Sequence, residues 1–196
     1  MMDALRLVDL QRPGLQPASA GVAAGETLCI HGPSGSGKTL LLRAIADLDP
    51  NQGQVFLGEA ERASIPAHQW RRQVMYLPPE AHWWAEQVAP HAAHWPDELL
   101  QALGFDRTVL DWEVTRLSSG ERQRLSLIRV LAHAPRALLL DEPTANLDPD
   151  NVLAAERLIA EYQAGHQAPV VWVSHDPAQR SRVASQQRQI AHGQLQ

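Results

Sequence analysis

The octapeptide Gly32-Pro33-Ser34-Gly35-Ser36-Gly37-Lys38-Thr39 constrains this chain more than any other stretch. Its spacing, G-x-x-x-x-G-K-T, is that of a tight loop joining a strand to a helix. Glycines there let consecutive backbone N–H groups converge on the oxygens of one anion, and the helix behind them adds its positive end. The neighbouring sequence supplies both elements: Glu26 to His31 reads as a short strand entering the loop, and Leu40 to Ala46 as a helix leaving it. Lys38 is the one lysine among 17 basic residues. Arginine serves everywhere else, which marks position 38 as one where a compact ammonium is needed and a planar guanidinium does not fit. In such a loop the lysine reaches the terminal phosphates and the Thr39 hydroxyl ligates magnesium, so the spacing implies a nucleoside triphosphate, ATP or a relative, bound with Mg²⁺.

With 196 residues the chain has the length for one domain with a full core. No apolar run approaches the roughly 20 residues of a membrane helix, and Met1 to Arg6 do not begin a secretory signal, so a cytoplasmic protein is expected. The single cysteine, Cys29, falls in the strand before the loop, which excludes an internal disulfide and predicts a reduced, buried thiol. A net charge of −5 gives no global footprint for a nucleic-acid partner. Phosphate affinity must therefore be local.

Residues 4 to 8 and 53 to 58 also read as strands, and Ser64 with Pro66 opens a short helix through Arg72. Val74 to Leu77 is an apolar strand stopped by Pro78-Pro79. From Glu80 the pattern becomes irregular and helical, with a helix over Pro96 to Gly104. Leu117-Ser118-Ser119-Gly120-Glu121 then opens a periodic helix with Leu125, Ile128 and Leu131 on one face. Ser118 and Glu121 have capping-box spacing, and a helix N-terminus among serines and a glycine is a second candidate anion site. Ala137 to Leu140 reads as a strand buried on both faces, ending in Asp141-Glu142. Asp148-Pro149 and Asp176-Pro177 cap two further helices, around a buried strand from Pro169 to Val173. Buried strands alternating with helices predict an α/β fold with a parallel sheet.

In this order the loop, the Leu117–Glu121 helix start, the strand ending Asp141-Glu142-Pro143 and the strand ending Ser174-His175-Asp176 resemble the ATP-binding subunits of ABC transporters over essentially the whole chain. Taken singly, Asp141-Glu142 is as readily a strand end, Ser118 a helix cap and His175 a turn histidine. The resemblance implies a P-loop NTPase of the ABC ATPase type: one domain over residues 1–196, with a parallel core sheet, an N-terminal antiparallel β part and a helical lobe inserted at about 80–134. It implies that Asp141 orients magnesium with Thr39, that Glu142 is the general base and that His175 senses the γ-phosphate. Leu117, Ser118, Ser119, Gly120 and Glu121 form the signature segment, with Ser119 where the family usually has glycine, and Ala145 to Asp148 form a loop crossing a dimer interface. The implied partners are a second copy packed head to tail, so that Ser118 of one faces the phosphate held by Lys38 of the other, and a membrane permease that would keep the chain on the inner face of the membrane. Within the family, Leu125 to Asp148 and Val170 to Asp176 look most like compact bacterial subunits, some associated with metal export. An exporter is expected.

Two departures stand out. The family usually has a magnesium-contacting glutamine where Pro79 stands, and an aromatic under the adenine where this chain has none before Phe56. A soluble ABC-like ATPase of iron-sulfur assembly is the competing reading. ATPases of chromosome maintenance carry long insertions between loop and signature, which are absent here. Trp83 and Trp84 are expected on a permease-docking surface spanning Glu80 to Trp95. His82, His91 and His94 are expected to be solvated or partner-facing rather than metal ligands.

Overall fold

The computed structural model describes residues 4–196. Met1 to Asp3, part of the segment read above as a non-secretory start, lie outside the described residues.

Two sheets organise the chain. The first is antiparallel, in the order β2-β1-β4-β5, formed by β1 (Leu5–Arg12), β2 (Leu15–Val22), β4 (Gln52–Leu57) and β5 (Ala60–Glu61). The second has the order β10-β9-β3-β8-β7-β6 and contains β3 (Thr27–His31), β6 (Val74–Leu77), β7 (Ala137–Asp141), β8 (Val170–Val173), β9 (Gln186–Ala191) and β10 (Gln194–Leu195). Strands β6, β7, β8, β3 and β9 are mutually parallel, and β10 turns back antiparallel on β9. The helices are α1 (Lys38–Ile45), α2 (Ala67–Gln73), α3 (Asp97–Ala102), α4 (Ser119–Leu131), α5 (Pro149–His166) and α6 (Pro177–Val183).

The pleat sorts the parallel strands between two cores. Ala137 and Leu139 of β7, with Val171 and Val173 of β8 and Leu28 and Ile30 of β3, pack with α1 and the antiparallel sheet. Their neighbours Leu138 and Leu140, Val170 and Trp172, and Cys29 pack on the opposite side with α4, α5 and the stretch from Val88 to Leu117. Period-two alternation of apolar residues on both faces explains why these strands read as continuous hydrophobic runs. Cys29 is fully buried and free, and burial pushes its thiol up to about 12, so it is inert at neutral pH.

Three expectations are corrected. Strand β1 continues past residue 8 to Arg12 through a register shift, with Asp9 at φ 48°. Its partner β2 was not anticipated, because Pro17 and small residues hide an edge strand. The terminal strands β9 and β10 were also missed. Strand β9, sequence QQRQIA, has only Ile190 fully buried and is held by its pairing with β3.

Helix α1 is tied at its far end as firmly as at its loop. Trp70 is fully buried and donates Nε1–H to the Ile45 carbonyl at 2.9 Å, and Arg62 donates to the Ala44 carbonyl at 2.8 Å. Both carbonyls belong to the last turn, where helices lack internal partners and favour positive charge. Trp70→Phe should cost about 1–3 kcal/mol by leaving the Ile45 carbonyl unpaired, and Trp70→Ala about 3–5 kcal/mol through the cavity. Urea unfolding of the two variants, with equal losses counting against the hydrogen-bond account, checks this.

Candidate functional site

The loop after β3 is built on positive backbone angles. Gly32, Gly35 and Gly37 have φ values of 147°, 75° and 111°, a region closed to most side chains. At Gly32 a Cβ would also stand 2.1 Å from the Ile190 carbonyl oxygen, so the loop lies directly against β9. Lys38 is 7% exposed, and its ammonium donates to the Gly32 and Pro33 carbonyls at 2.8 and 2.9 Å. The side chain thus folds back across the loop. A cleft of about 170 Å³ lined by Gly35, Gly37, Lys38, Thr39 and Leu40 opens beside it. In the same loop, Ser36 Oγ is buried without a hydrogen-bond partner.

Across the carboxyl ends of the parallel strands lies an acidic pair. Asp141 closes β7, is 1% exposed, and accepts at Oδ2 from Thr39 Oγ1 at 2.7 Å and from the Tyr76 hydroxyl at 3.0 Å. Thr39 gives its proton to Asp141, which leaves its lone pairs free for a cation. A hydroxyl and a carboxylate are the hard oxygen donors that magnesium takes. Burial, reinforced by the Asp141 charge, pushes the Tyr76 hydroxyl well above its ordinary range, so it is a proton donor at any working pH. Burial also lowers the Lys38 ammonium, against the opposing pull of Glu142 and Asp141.

Glu142 follows with φ 53°, a left-handed conformation unusual for its type, and this ends the strand and swings its side chain out of the pleat. Its amide donates to the Val173 carbonyl, fixing it beside the end of β8. There Oε1 lies 3.0 Å from Nε2 of His175, an ion-pair approach whose angle makes no hydrogen bond. Burial raises the Glu142 carboxyl above the usual range, while His175 pulls it down. Lys38, Thr39, Asp141, Glu142 and His175 are therefore gathered by the ends of three adjacent strands, where open α/β sheets place ligands.

The Leu117–Glu121 segment lies elsewhere in the chain. Ser118 caps α4 with a reciprocal box: its Oγ accepts from the Glu121 amide, and Glu121 Oε2 accepts from the Ser118 amide at 2.8 Å. These bonds hold the Glu121 carboxyl below its usual range. At Gly120 a Cβ would stand 3.0 Å from the Asn146 carbonyl oxygen, so the helix start packs closely on the loop after Glu142. Ser119 and Asn146 line a separate cleft of about 410 Å³ together with Pro79, Glu80, Trp83 and Gln123.

The tryptophans and histidines divide. Trp84 rests its ring on His91, 4.5 Å between centroids, yet is 61% exposed, whereas Trp83 packs against the core and Trp95 is buried, so of the adjacent pair only Trp84 presents a large apolar surface to solvent. His91 is not solvated: it is 2% exposed, its Nε2 accepts from the Trp84 and Ala85 amides at 2.9 and 3.0 Å, and Nδ1 meets the Val88 carbonyl. It is the core of that loop. No group of three metal-ligating side chains occurs among the described residues. The sequence reading passed over Tyr76, Gln123 and Gln179. Gln123 donates to the Pro143 carbonyl at 3.1 Å, and Gln179 donates to Thr144 Oγ1 and Glu156 Oε1, both at 2.9 Å.

Residues 15–145 match the family model described as ABC transporter. The chain belongs to the ABC transporter family. It is 35% identical over 95% of its length to the molybdenum import ATP-binding protein ModC of Aromatoleum aromaticum, covering 51% of that relative. The phosphate import ATP-binding protein PstB of Aeropyrum pernix is 34% identical over 83% of this chain and 74% of its own. The probable iron export ATP-binding protein FetA of Escherichia coli is 32% identical over 78% of this chain and 74% of its own. The chain thus spans about half the length of some ABC relatives and about three quarters of others. Among solved structures, a bacterial Atm1-family ABC exporter with ATP bound superposes with a TM-score of 0.87 at 20% identity, over 100% of this chain and 38% of that one. This confirms the fold: an ABC-type α/β domain with a parallel core sheet and an antiparallel β part.

A carboxyl raised in the folded ABC domain binds its proton more tightly there than in the unfolded chain. Glu142 therefore adds stability below the ordinary carboxylate range and loses that contribution as pH rises through its raised value. Glu142→Gln is expected to raise the melting temperature near about pH 8, with the gain shrinking towards about pH 4. Calorimetry at both pH values checks the sign. A gain that does not change with pH would contradict the burial argument.

Proposed function

We propose that this chain binds and hydrolyses ATP to energise a separate membrane permease, working as a head-to-tail pair of copies on the inner face of the membrane. The observation that carries the reading is the gathering of Lys38, Thr39, Asp141, Glu142 and His175 at the ends of β3, β7 and β8.

Residues Gly32 to Thr39 hold the phosphates through loop amides and the Lys38 ammonium. Thr39 and Asp141 would hold magnesium, which when bound neutralises charge on the β- and γ-phosphates. Glu142 takes the proton of the attacking water as its oxygen adds to the γ-phosphorus and the bond to the bridging oxygen breaks. A carboxyl raised by burial is a stronger base than an exposed one. His175, 51% exposed beside Glu142, is free to turn its ring towards the transferred phosphoryl group. Since Ser119, next to Ser118, lines a different cleft from that of Lys38, a phosphate gripped by both the loop and the Ser118 helix start is shared by two copies. Such a pairing is two-fold and self-complementary. Residues 1–196 act as one ABC ATPase domain with a helical lobe at about 80–134. Among the described residues no helix is long and apolar enough to cross a membrane.

Export is the narrower form of this proposal. It is supported by the likeness of Leu125 to Asp148 and Val170 to Asp176 to compact bacterial subunits, some associated with metal export, and by the iron export relative. The import relatives make loading of inside-out vesicles the deciding measurement for direction.

Glu142→Gln is expected to keep ATP affinity, lower turnover by about a hundredfold or more and accumulate an ATP-bound dimer in gel filtration. A variant that stays monomeric in saturating ATP while the wild type dimerises sinks the assignment.

The permease is proposed to dock where Trp84 stands out of the loop held by His91. Truncating an exposed aromatic anchor at an interface costs about 2 kcal/mol or more. Trp84→Ala should leave the isolated chain folded and ATP-binding, and reduce its recovery in membranes that contain the permease. Trp83→Ala, which removes core packing, should lower stability instead. Wild-type membrane recovery of Trp84→Ala places the docking surface elsewhere.

A further inference from the structure

Two hydroxyls from different elements converge on one oxygen of Asp141. Thr39 donates to Oδ2 from the first turn of α1, and Tyr76 donates to the same atom from β6 at 3.0 Å. The strand register makes the second contact specific. Strand β6 runs parallel to β7 with Tyr76 opposite Leu139 and Leu77 opposite Leu140. Alternation then puts Tyr76, Leu139 and Asp141 on the α1 side of the sheet, and the long phenol spans the remaining distance along the strand. The next residues, Pro78 and Pro79, have no side-chain oxygen, so Tyr76 is the polar group through which β6 reaches this corner.

A carboxylate has a broad, two-fold torsion, so burial alone does not decide which lone pairs it presents. Two donors on Oδ2 fix the plane of the Asp141 carboxylate. We propose that Tyr76 is a positioning residue of the magnesium site: it holds the Asp141 carboxylate in the rotation at which Asp141 and Thr39 together face one cation. This rests on the reading of Thr39 and Asp141 as the metal-holding pair. Tyr76 itself is not a ligand; it acts through Asp141, and its proton stays on the phenol.

Outer-sphere partners that orient a metal ligand typically carry 10–100-fold in metal affinity. Tyr76→Phe keeps the ring in its packing and removes only the donor. The test uses the full chain with a fluorescent ATP analogue, titrated first in EDTA and then with Mn²⁺, whose free-ion EPR signal reports occupancy. Tyr76→Phe should bind the analogue in EDTA within about twofold of wild type, and require about tenfold more Mn²⁺ for half-occupancy. An unshifted Mn²⁺ requirement with intact binding in EDTA overturns the inference. So does a parallel loss in both arms together with a lowered melting temperature, which is the mark of a packing role. A wild type that binds the analogue with no dependence on Mn²⁺ overturns the Thr39–Asp141 metal reading itself, whatever the variant does.

Discussion

The buried carboxylate of Asp141 is the constraint on which the rest of the site depends. A 1% exposed charge is costly unless hydrogen bonds meet it, and here they come from two other elements, through Thr39 of α1 and Tyr76 of β6. Satisfying that single group fixes the distance between the phosphate loop and β7. The ladder of β6 on β7 sets the height at which Tyr76 meets it. The loop could otherwise move with α1, but α1 is held at its other end by Trp70 and Arg62. A short helix with both ends tied transmits position faithfully, so the geometry of Lys38 follows from contacts formed at some distance from it.

Immediately after Glu142 the chain becomes a junction. The Pro143 carbonyl takes a hydrogen bond from Gln123 of α4, and Thr144 Oγ1 takes one from Gln179 of α6. Gln179 also reaches Glu156 of α5, which pairs with Arg182 at 2.7 Å. These amides are nearly fully buried, and an unpaired partner would carry the whole desolvation cost. One short segment therefore links Glu142, α4 and α6. Gln123 thus ties α4 to Pro143, one residue from Glu142.

Which parts were legible follows from where each constraint comes from. The Gly32–Thr39 loop was readable because its backbone angles admit few residue types. The Ser118–Glu121 box was readable because both partners lie within one turn. The central strands β3, β7 and β8 announced themselves by burial on both faces. Strand β9 did not, since five of its six residues are polar or half-exposed and its strand character comes from pairing with β3. Tyr76 sat unnoticed in an apolar run because only the register of β6 on β7 reveals Asp141 as its partner. His91 looked like a surface histidine beside Pro90, although its ring takes two amides of its own loop. Long-range pairing leaves no local spacing to read.

Two residues that break local rules stand at the ends of β3 and β7. A glutamate in the left-handed region follows directly on Asp141, and Gly32 leaves no room for a Cβ against Ile190. Conformations of this kind cost on the order of 1–3 kcal/mol and persist only where the surroundings over-determine them. The surroundings here are the Val173 carbonyl on the Glu142 amide, the contact with His175, and the Ala145 amide on the Glu142 carbonyl. A relaxed Glu142 would continue the strand and point away from His175. Held as it is, its carboxylate stands 3.0 Å from His175, within reach of the Lys38 charge, in surroundings buried enough to raise its affinity for a proton. The same backbone distortion that ends β7 is therefore what brings a strand-end acid against His175.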